Sequence, residues 1–472
     1  MKRFLGFYCC ILSLCQLSGP SPLAAAATAV AGAPATGAPE GAADDEYCGE
    51  YFLPSGKRVS VYKMGVISEM AQLTFINWEN GRAGTFRNDG PDRFWATSSP
   101  LQPDVRQTLI TFGRDENNKI DNLLIQEGTG PKVRAERKKT FNQKPVTFAN
   151  GEVVLSGVLK TPLGKGPFPA VVLVHGSGPG GFEQVESMAR FFVHLEMAVL
   201  SYAKRGCGAS GGDWKTVDLD VLADDALAAV SLLASEPGID PKRIGLWGIS
   251  QGGWITPLAA SRSDKLAFII NHSGPGTSLR RQDTFMMANV LSDQGVPALD
   301  IDLAIAALNI MYDYGRKKAS AEALDAAIDR LRGKPGLEEL TAFSSRQMVP
   351  DSLYPRQAIG DPAWFFHLDP DRDALEPYRR LRCPLLVVYG RLDTTVPVEE
   401  SEAKISAVLE ESAHPDYLVK VLDRTGHGMS VMKKDEPQKP VEPLSIAPEY
   451  FALLEEWLRS RGLCGPGGKS MK

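Results

Sequence analysis

The segment Gly248-Ile249-Ser250-Gln251-Gly252-Gly253 carries residue types that could do covalent chemistry. It follows the apolar run Ile244–Trp247 and precedes the helix-like stretch Trp254–Ala260. Gly-x-Ser-x-Gly at a strand-to-helix turn has a steric logic. The turn forces the serine into a strained backbone conformation that pushes its Oγ out beyond the sheet. Small residues two before and two after let strand and helix approach closely.

A serine hydroxyl is a weak nucleophile near neutral pH. It needs a base, and the base needs an acid to orient it. At such a turn the chain order is Ser, then Asp or Glu, then His. Asp393 lies in Gly390-Arg391-Leu392-Asp393, just beyond the apolar run Leu385–Tyr389. His427 lies in Thr425-Gly426-His427-Gly428, beyond the run Leu418–Leu422. Both fall where strands end, the edge at which open α/β sheets bind ligands. Asp423 is the rival acid, but it stands only four residues before His427.

A tetrahedral intermediate needs preorganised N–H donors. Gln251, the residue after the serine, is expected to supply one. The other is expected from the loop after Ala170–Val174, His175-Gly176-Ser177-Gly178-Pro179-Gly180-Gly181, with Ser177 as first choice and Gly178 as rival. Glycines there let backbone approach a reacting carbonyl without side-chain collision. The loop lacks both the Lys-Ser/Thr ending of a phosphate-binding loop and the Gly-x-Gly-x-x-Gly spacing. Of the six histidines, His175 is expected to brace this loop and His272 to be structural rather than pocket-lining. His367 is a weaker candidate for substrate contact, and His194 and His414 read as ordinary helix or surface residues. No metal-ligand spacing appears among them, and the chemistry calls for neither metal nor cofactor.

Strands must position these groups. The apolar runs Ala170–Val174, Ala198–Tyr202, Ile244–Trp247, Leu266–Asn271, Leu385–Tyr389 and Leu418–Leu422 alternate with helical stretches such as Leu219–Ala234. Unbroken Val/Ile/Leu strands alternating with helices predict a mostly parallel sheet with helices on both faces. Ahead of it, Val146–Phe148 and Val153–Leu159 flank Asn150-Gly151 and predict a hairpin. Between about 276 and 377 no strand is evident. Helical patterns at Leu299–Tyr314 and Ala321–Leu331, then Trp364, Phe365 and Phe366, predict an inserted helical cap whose aromatics shape an apolar substrate pocket.

Residues 47–138 differ in character. Short apolar stretches (Val59–Tyr62, Leu73–Ile76, Thr108–Phe112, Ile120–Ile125) alternate with turn pairs such as Asn80-Gly81 and Asp89-Gly90, predicting a small antiparallel β domain. The basic run Lys132–Lys139 reads as a solvated linker face.

The N-terminus reads as an address. Lys2 and Arg3, an apolar run from Phe4 to Leu17 and a small-residue stretch form the layout of a secretory signal peptide over 1–30, with a flexible linker over 31–46. A secreted or periplasmic protein without a transmembrane helix after signal removal is expected. Cys9, Cys10 and Cys15 would leave with the signal, and Cys48, Cys207, Cys383 and Cys464 show no metal spacing. With 52 basic against 57 acidic residues the net charge is −5, so composition gives no support to a nucleic-acid binder.

Residues 141–463 resemble the α/β-hydrolase superfamily. The matching pieces are His175–Gly181, Tyr202-x-x-Arg205-Gly206-Cys207-Gly208-x-Ser210, Gly248–Gly252, Gly390–Pro397 and Gly426–Gly428. The His-Gly-Ser-Gly-Pro loop resembles that of bacterial esterases with an insertion cap and an extra N-terminal domain. Such relatives often continue the loop with an acidic and basic cluster, where this chain has Gly180-Gly181-Phe182-Glu183-Gln184. The resemblance implies an α/β-hydrolase fold of about eight strands and a serine hydrolase acting on a small-molecule carboxylic ester. Ser250 is its nucleophile, His427 the base and Asp393 the orienting acid. The rivals are a serine peptidase, an acyltransferase and a non-catalytic binding protein on the same scaffold. Peptidases of the prolyl-oligopeptidase type normally carry a large β-propeller, which about 90 residues at 47–138 cannot form.

Overall fold

The computed structural model describes residues 46–65, 71–97, 108–337, 368–434, 440–441 and 444–465. The expected signal and nearly all of the linker lie outside the described residues, as do Trp364, Phe365, Phe366 and His367.

The chain first forms a closed antiparallel barrel of eight strands: β1 (Gly49–Phe52), β2 (Arg58–Met64), β3 (Gln72–Asn77), β4 (Ala83–Gly90), β5 (Arg93–Thr97), β6 (Thr108–Arg114), β7 (Ile120–Glu127) and β8 (Val133–Lys138). Closure comes from β1 pairing with β8, Tyr51 opposite Arg137, and it removes the unpaired edges that an open sheet would expose. Inward side chains such as Tyr51, Val61, Phe75, Ile110, Phe112 and Leu123 fill the interior. The run Lys132–Lys139 is therefore not a linker face. It holds β8, where fully buried Ala135 sits between exposed Arg134 and Glu136. A strand with one face in water can carry charge at every second position, and that alternation hid it. The turn at Asn80-Gly81 joins β3 to β4, with Gly81 at φ +72°.

Two residues after β8 the second sheet begins. β9 (Phe141–Asn150) and β10 (Val153–Pro162) form the expected hairpin, register Asn150 to Val153. Then come β11 (Phe168–Val174), α1 (Glu186–His194), β12 (Ala198–Tyr202), α2 (Leu219–Ser235), β13 (Ile239–Ile249), α3 (Gln251–Ala260) and β14 (Phe268–His272). Three helices follow: α4 (Leu279–Asp293), α5 (Ala298–Gly315) and α6 (Ala321–Asp329). β15 (Leu385–Gly390), α7 (Val398–Glu411), β16 (Tyr417–Leu422) and α8 (Pro448–Ser460) complete the order. The eight strands run β16-β15-β14-β13-β11-β12-β10-β9. β11 through β16 pair in parallel, while β10 is antiparallel to both its neighbours.

Alternate residues of the central strands feed two cores. Ala170, Val172 and Val174 face the side covered by α2, α3 and α7. Val171 and Leu173 face the side covered by α1 and α8. Burial on both faces explains why these strands read as unbroken apolar runs. Between β14 and β15 the described residues contain no strand. α5 and α6 match the helical patterns read there. α4 was not foreseen, because its charged start, Arg280-Arg281-Gln282-Asp283, masks the apolar spacing.

The barrel shares a core with the sheet domain. Trp78 stacks on Phe191 of α1 at 5.9 Å and meets Phe451 of α8 edge-on at 4.9 Å. Beside them runs a buried charge network. Glu50 accepts from Arg58 (2.7 Å), Ser60 Oγ (2.5 Å) and Arg190 (2.5 Å). Arg190 also pairs with Glu186 at 2.8 Å, and Glu186 with Lys160 at 2.8 Å. No described helix is long and apolar enough to cross a membrane.

Candidate active site

Ser250 follows β13 directly and caps α3 with φ 56° and ψ −113°, a conformation that costs a non-glycine residue of order 1–3 kcal/mol. The neighbouring glycines show what imposes it. A Cβ on Gly248 would stand 2.4 Å from the Gly252 carbonyl oxygen, and one on Gly252 would stand 2.5 Å from that of Val174. Neither position tolerates a side chain, so the turn closes tightly and carries Ser250 to the carboxyl end of the sheet. Its N–H donates to the His272 carbonyl at 2.9 Å.

Two strands along, Asp393 and His427 meet. His427 Nδ1 lies 2.7 Å from Asp393 Oδ2. A carboxylate only accepts, so Nδ1 carries the proton and donates, and the lone pair is left on Nε2. Asp393 Oδ1 accepts from the N–H groups of Thr395 (2.7 Å) and Val396 (3.0 Å), which fixes the carboxylate plane. The two loops are pinched together at Gly390, where a Cβ would lie 2.4 Å from the Gly426 carbonyl oxygen. Asp423, the rival acid, is 80 % exposed and pairs with Arg391 at 2.7 Å rather than with His427.

The His427 backbone is held as firmly as its ring. Its carbonyl accepts from Ser273 Oγ at 2.9 Å and from His272 Nε2 at 3.1 Å. His272 Nδ1 accepts from the Tyr450 hydroxyl at 2.9 Å, and Tyr450 Oη accepts from Trp247 Nε1 at 3.0 Å. This arrangement needs a neutral imidazole, and burial pushes the His272 pKa down to about 3. His272 thus touches both the Ser250 N–H, through its carbonyl, and the His427 carbonyl, through its ring. Ser250 and His427 are tied to one residue between them. Ser250 Oγ and His427 Nε2 are both buried, and neither has a hydrogen-bond partner among the described residues. The hydroxyl is a donor and the ring nitrogen an acceptor, and both stand at the carboxyl edge of the sheet.

The loop His175–Gly181 lies against the serine, since a Cβ on Gly176 would be 3.5 Å from Ser250 Cβ. Ser177 belongs to this loop, and Gln251 begins α3 beside it. His175 braces the loop by bonding to the Tyr202 carbonyl, and burial holds its pKa down at about 3. The reading of the residues did not single out Lys204, although the pattern Tyr202-x-x-Arg205 contains it. Its Nζ donates to the carbonyls of Gly176 (2.6 Å) and Gly178 (2.8 Å) and to Gln251 Oε1 (3.0 Å). Asp393 and His427 are thus in contact, His272 links His427 to Ser250, and Ser177 and Gln251 belong to the loop and the helix that flank the serine. Among the described residues no group of three or more His, Cys, Asp or Glu could hold a metal ion.

The chain is similar to several known proteins. Esterase EstD of Thermotoga maritima is 26% identical over 332 residues, spanning 68% of each chain. The thiohydrolase aneE of Aspergillus aculeatus is 35% identical over 139 residues, which cover 29% of this chain and 42% of that protein. A solved structure of the Pyrococcus furiosus esterase Pf2001 matches 68% of this chain and 91% of its own at 18% identity, with a TM-score of 0.42. The model of the alpha/beta hydrolase family matches residues 171–442, more than half of the chain, and the protein belongs to that family.

Proposed function

We propose that the protein hydrolyses carboxylic esters through an acyl-enzyme. Ser250 Oγ attacks the acyl carbon while its proton passes to His427 Nε2. The N–H groups of Gln251 and Ser177 receive the oxyanion. His427 returns the proton to the leaving alcohol, and then activates the water that frees the acyl group. Asp393 keeps the imidazole in the tautomer that accepts at Nε2. The observation that carries this reading is the 2.7 Å contact of His427 Nδ1 with Asp393, with Nε2 left unpartnered at the edge where Ser250 sits strained at φ 56°. The esterase named among the relatives supports an ester over an amide.

A panel of chromogenic esters and peptide amides, run with the wild type and Ser250→Ala, tests it. Esters are expected to be cleaved, with a loss of about 10⁴ or more in the variant. Retention of most activity by Ser250→Ala would exclude the mechanism, and faster amide cleavage would make the protein a peptidase. Adding an alcohol as competing acceptor separates hydrolysis from acyl transfer. Export belongs to the same reading, on the strength of Lys2, Arg3 and the apolar run after them. Cell fractionation and N-terminal sequencing of the product check it.

A further inference from the structure

We propose that Lys204 is a positioning residue of the oxyanion hole, its buried ammonium aligning and polarising the peptide groups that receive the developing charge. The inference rests on the acyl-transfer reading of the site.

Among the described residues of the sheet domain two lysines are almost wholly buried, and they differ. Lys160, 4 % exposed, pairs with Glu186 at 2.8 Å. Lys204, 2 % exposed, spends its three Nζ protons on neutral acceptors: the carbonyls of Gly176 and Gly178 and Gln251 Oε1. Asp225 is paired with the adjacent Arg205 at 2.6 Å. Burying a charge against neutral partners alone is expensive. The charge is therefore expressed towards the loop and the Gln251 side chain.

The geometry gives that charge a direction. The Gly176 carbonyl and the Ser177 N–H belong to one peptide unit. In a trans peptide they point in opposite directions, so drawing the carbonyl onto Lys204 turns the Ser177 N–H away from it. An ammonium on the carbonyl also polarises the unit and makes its N–H a stronger donor. The backbone N–H of Lys204 fastens the far end of the same loop, at the Gly180 carbonyl, 2.8 Å away. On the other wall the ammonium holds the Gln251 side chain, and the Gln251 N–H is the second donor. One cation thus fastens both walls, and its field favours negative charge that is present in the transition state and absent from the ester.

Burial lowers the Lys204 pKa to about 8, with Cys207 the opposing influence. The groups around it are Cys207 on its own segment, neutral His175 at the end of β11, Gln251 on α3 and the Trp214 ring at 5.6 Å. Lys215 lies against that same ring at 6.0 Å. Activity should therefore decline above about pH 8.

The test compares wild type, Lys204→Met and Lys204→Arg. The expected result for Lys204→Met is a fall of about 10²-fold in kcat with KM changed less than threefold. An alkyl boronic acid supplies a readout that a merely structural lysine would not move. Ser250 Oγ adds to the trigonal boron, its proton passes to His427, and the four-coordinate boron carries the negative charge. Affinity for this anionic adduct should weaken by the same factor as kcat. The alkaline decline of the wild type should vanish in Lys204→Met, and Lys204→Arg should restore part of kcat. A folded Lys204→Met with kcat and boronate affinity within threefold of wild type would overturn the proposal. So would wild-type acylation that stays flat from pH 7 to 10, a result that does not depend on the variant folding. Failure of the acyl-transfer reading itself appears separately, as activity surviving in Ser250→Ala.

Discussion

Gly81 of the barrel lies against Ile446 so closely that a Cβ on the glycine would stand 2.0 Å from the Ile446 carbonyl oxygen. The Ile446 N–H donates to the Gly81 carbonyl at 2.8 Å, and the Ala83 N–H donates to that of Leu444 at 2.9 Å. The segment they hold reaches the histidine loop. The Val431 N–H donates to the Ser445 carbonyl and the Ala447 N–H to that of Met429, both at 2.8 Å. The barrel's β3–β4 turn is thus joined through 444–447 to the residues immediately after His427.

Substituting Gly81→Val should therefore reach the active site. The new side chain collides with Ile446 and is strained at φ +72°. A loss of about 1–3 kcal/mol in stability is expected, together with a fall of about tenfold in kcat. Thermal melts and steady-state kinetics check both. A lowered melting temperature with kcat unchanged would show that the turn stabilises the fold without positioning His427.

The two candidate acids give opposite expectations. Asp393→Asn presents an amide to His427 Nδ1 and favours the tautomer that protonates Nε2, so kcat should fall by about 10⁴. Asp423→Asn breaks only an exposed pair with Arg391, and kcat should stay within twofold. Equal losses in the two variants would reopen the choice of acid.

Glu50→Ala should be severely destabilising. Glu50 is 2 % exposed and is the carboxylate to which both Arg58 and Arg190 are bonded. Breaking a buried pair from one side costs about 3–5 kcal/mol, because the remaining charges stay desolvated. Because the barrel and the α1/α8 face share one core, denaturant unfolding should lose both together. Separate transitions for barrel fluorescence and for activity would contradict this.

Much of the site was legible because its chemistry depends on local spacing. The serine turn, the glycines around it and the strand ends before Asp393 and His427 are written in consecutive residues. The central strands were legible for a different reason, burial on both faces. What escaped depends on contacts between distant segments. β8 looks like a basic linker because only Ala135 betrays its inner face. Lys204 gives no signal, since its partners are backbone carbonyls and a glutamine rather than an acid. Gly81 reads as an ordinary turn glycine until Ile446 is seen beside it. The barrel's charge network is invisible for the same reason, as Glu50 and Arg190 are 140 residues apart.

The same burial sets opposing pH dependences of stability. His175 and His272 have folded pKa values near 3 and an ordinary value of 6.5. Unfolding therefore takes up about one proton for each between roughly pH 3 and 6.5, and stability falls as pH is lowered through that window. Asp283, buried between α4 and α5 and bonded to the Tyr312 hydroxyl, acts in the other sense. Burial raises its pKa from 3.8 to about 7. Unfolding releases its proton between about pH 4 and 7, so its contribution to stability is present at low pH and lost as pH rises. His194, whose pKa the nearby Arg58 charge and burial lower to about 3, adds a third proton, so where the windows overlap the histidines outweigh the aspartate and the net slope should favour higher pH. Denaturant titrations at pH 4.5, 5.5 and 6.5 measure that slope. Asp283→Asn should steepen it by about one proton and His272→Asn should flatten it by about one. Unchanged slopes in both variants would mean that neither group keeps its burial-shifted charge state in solution.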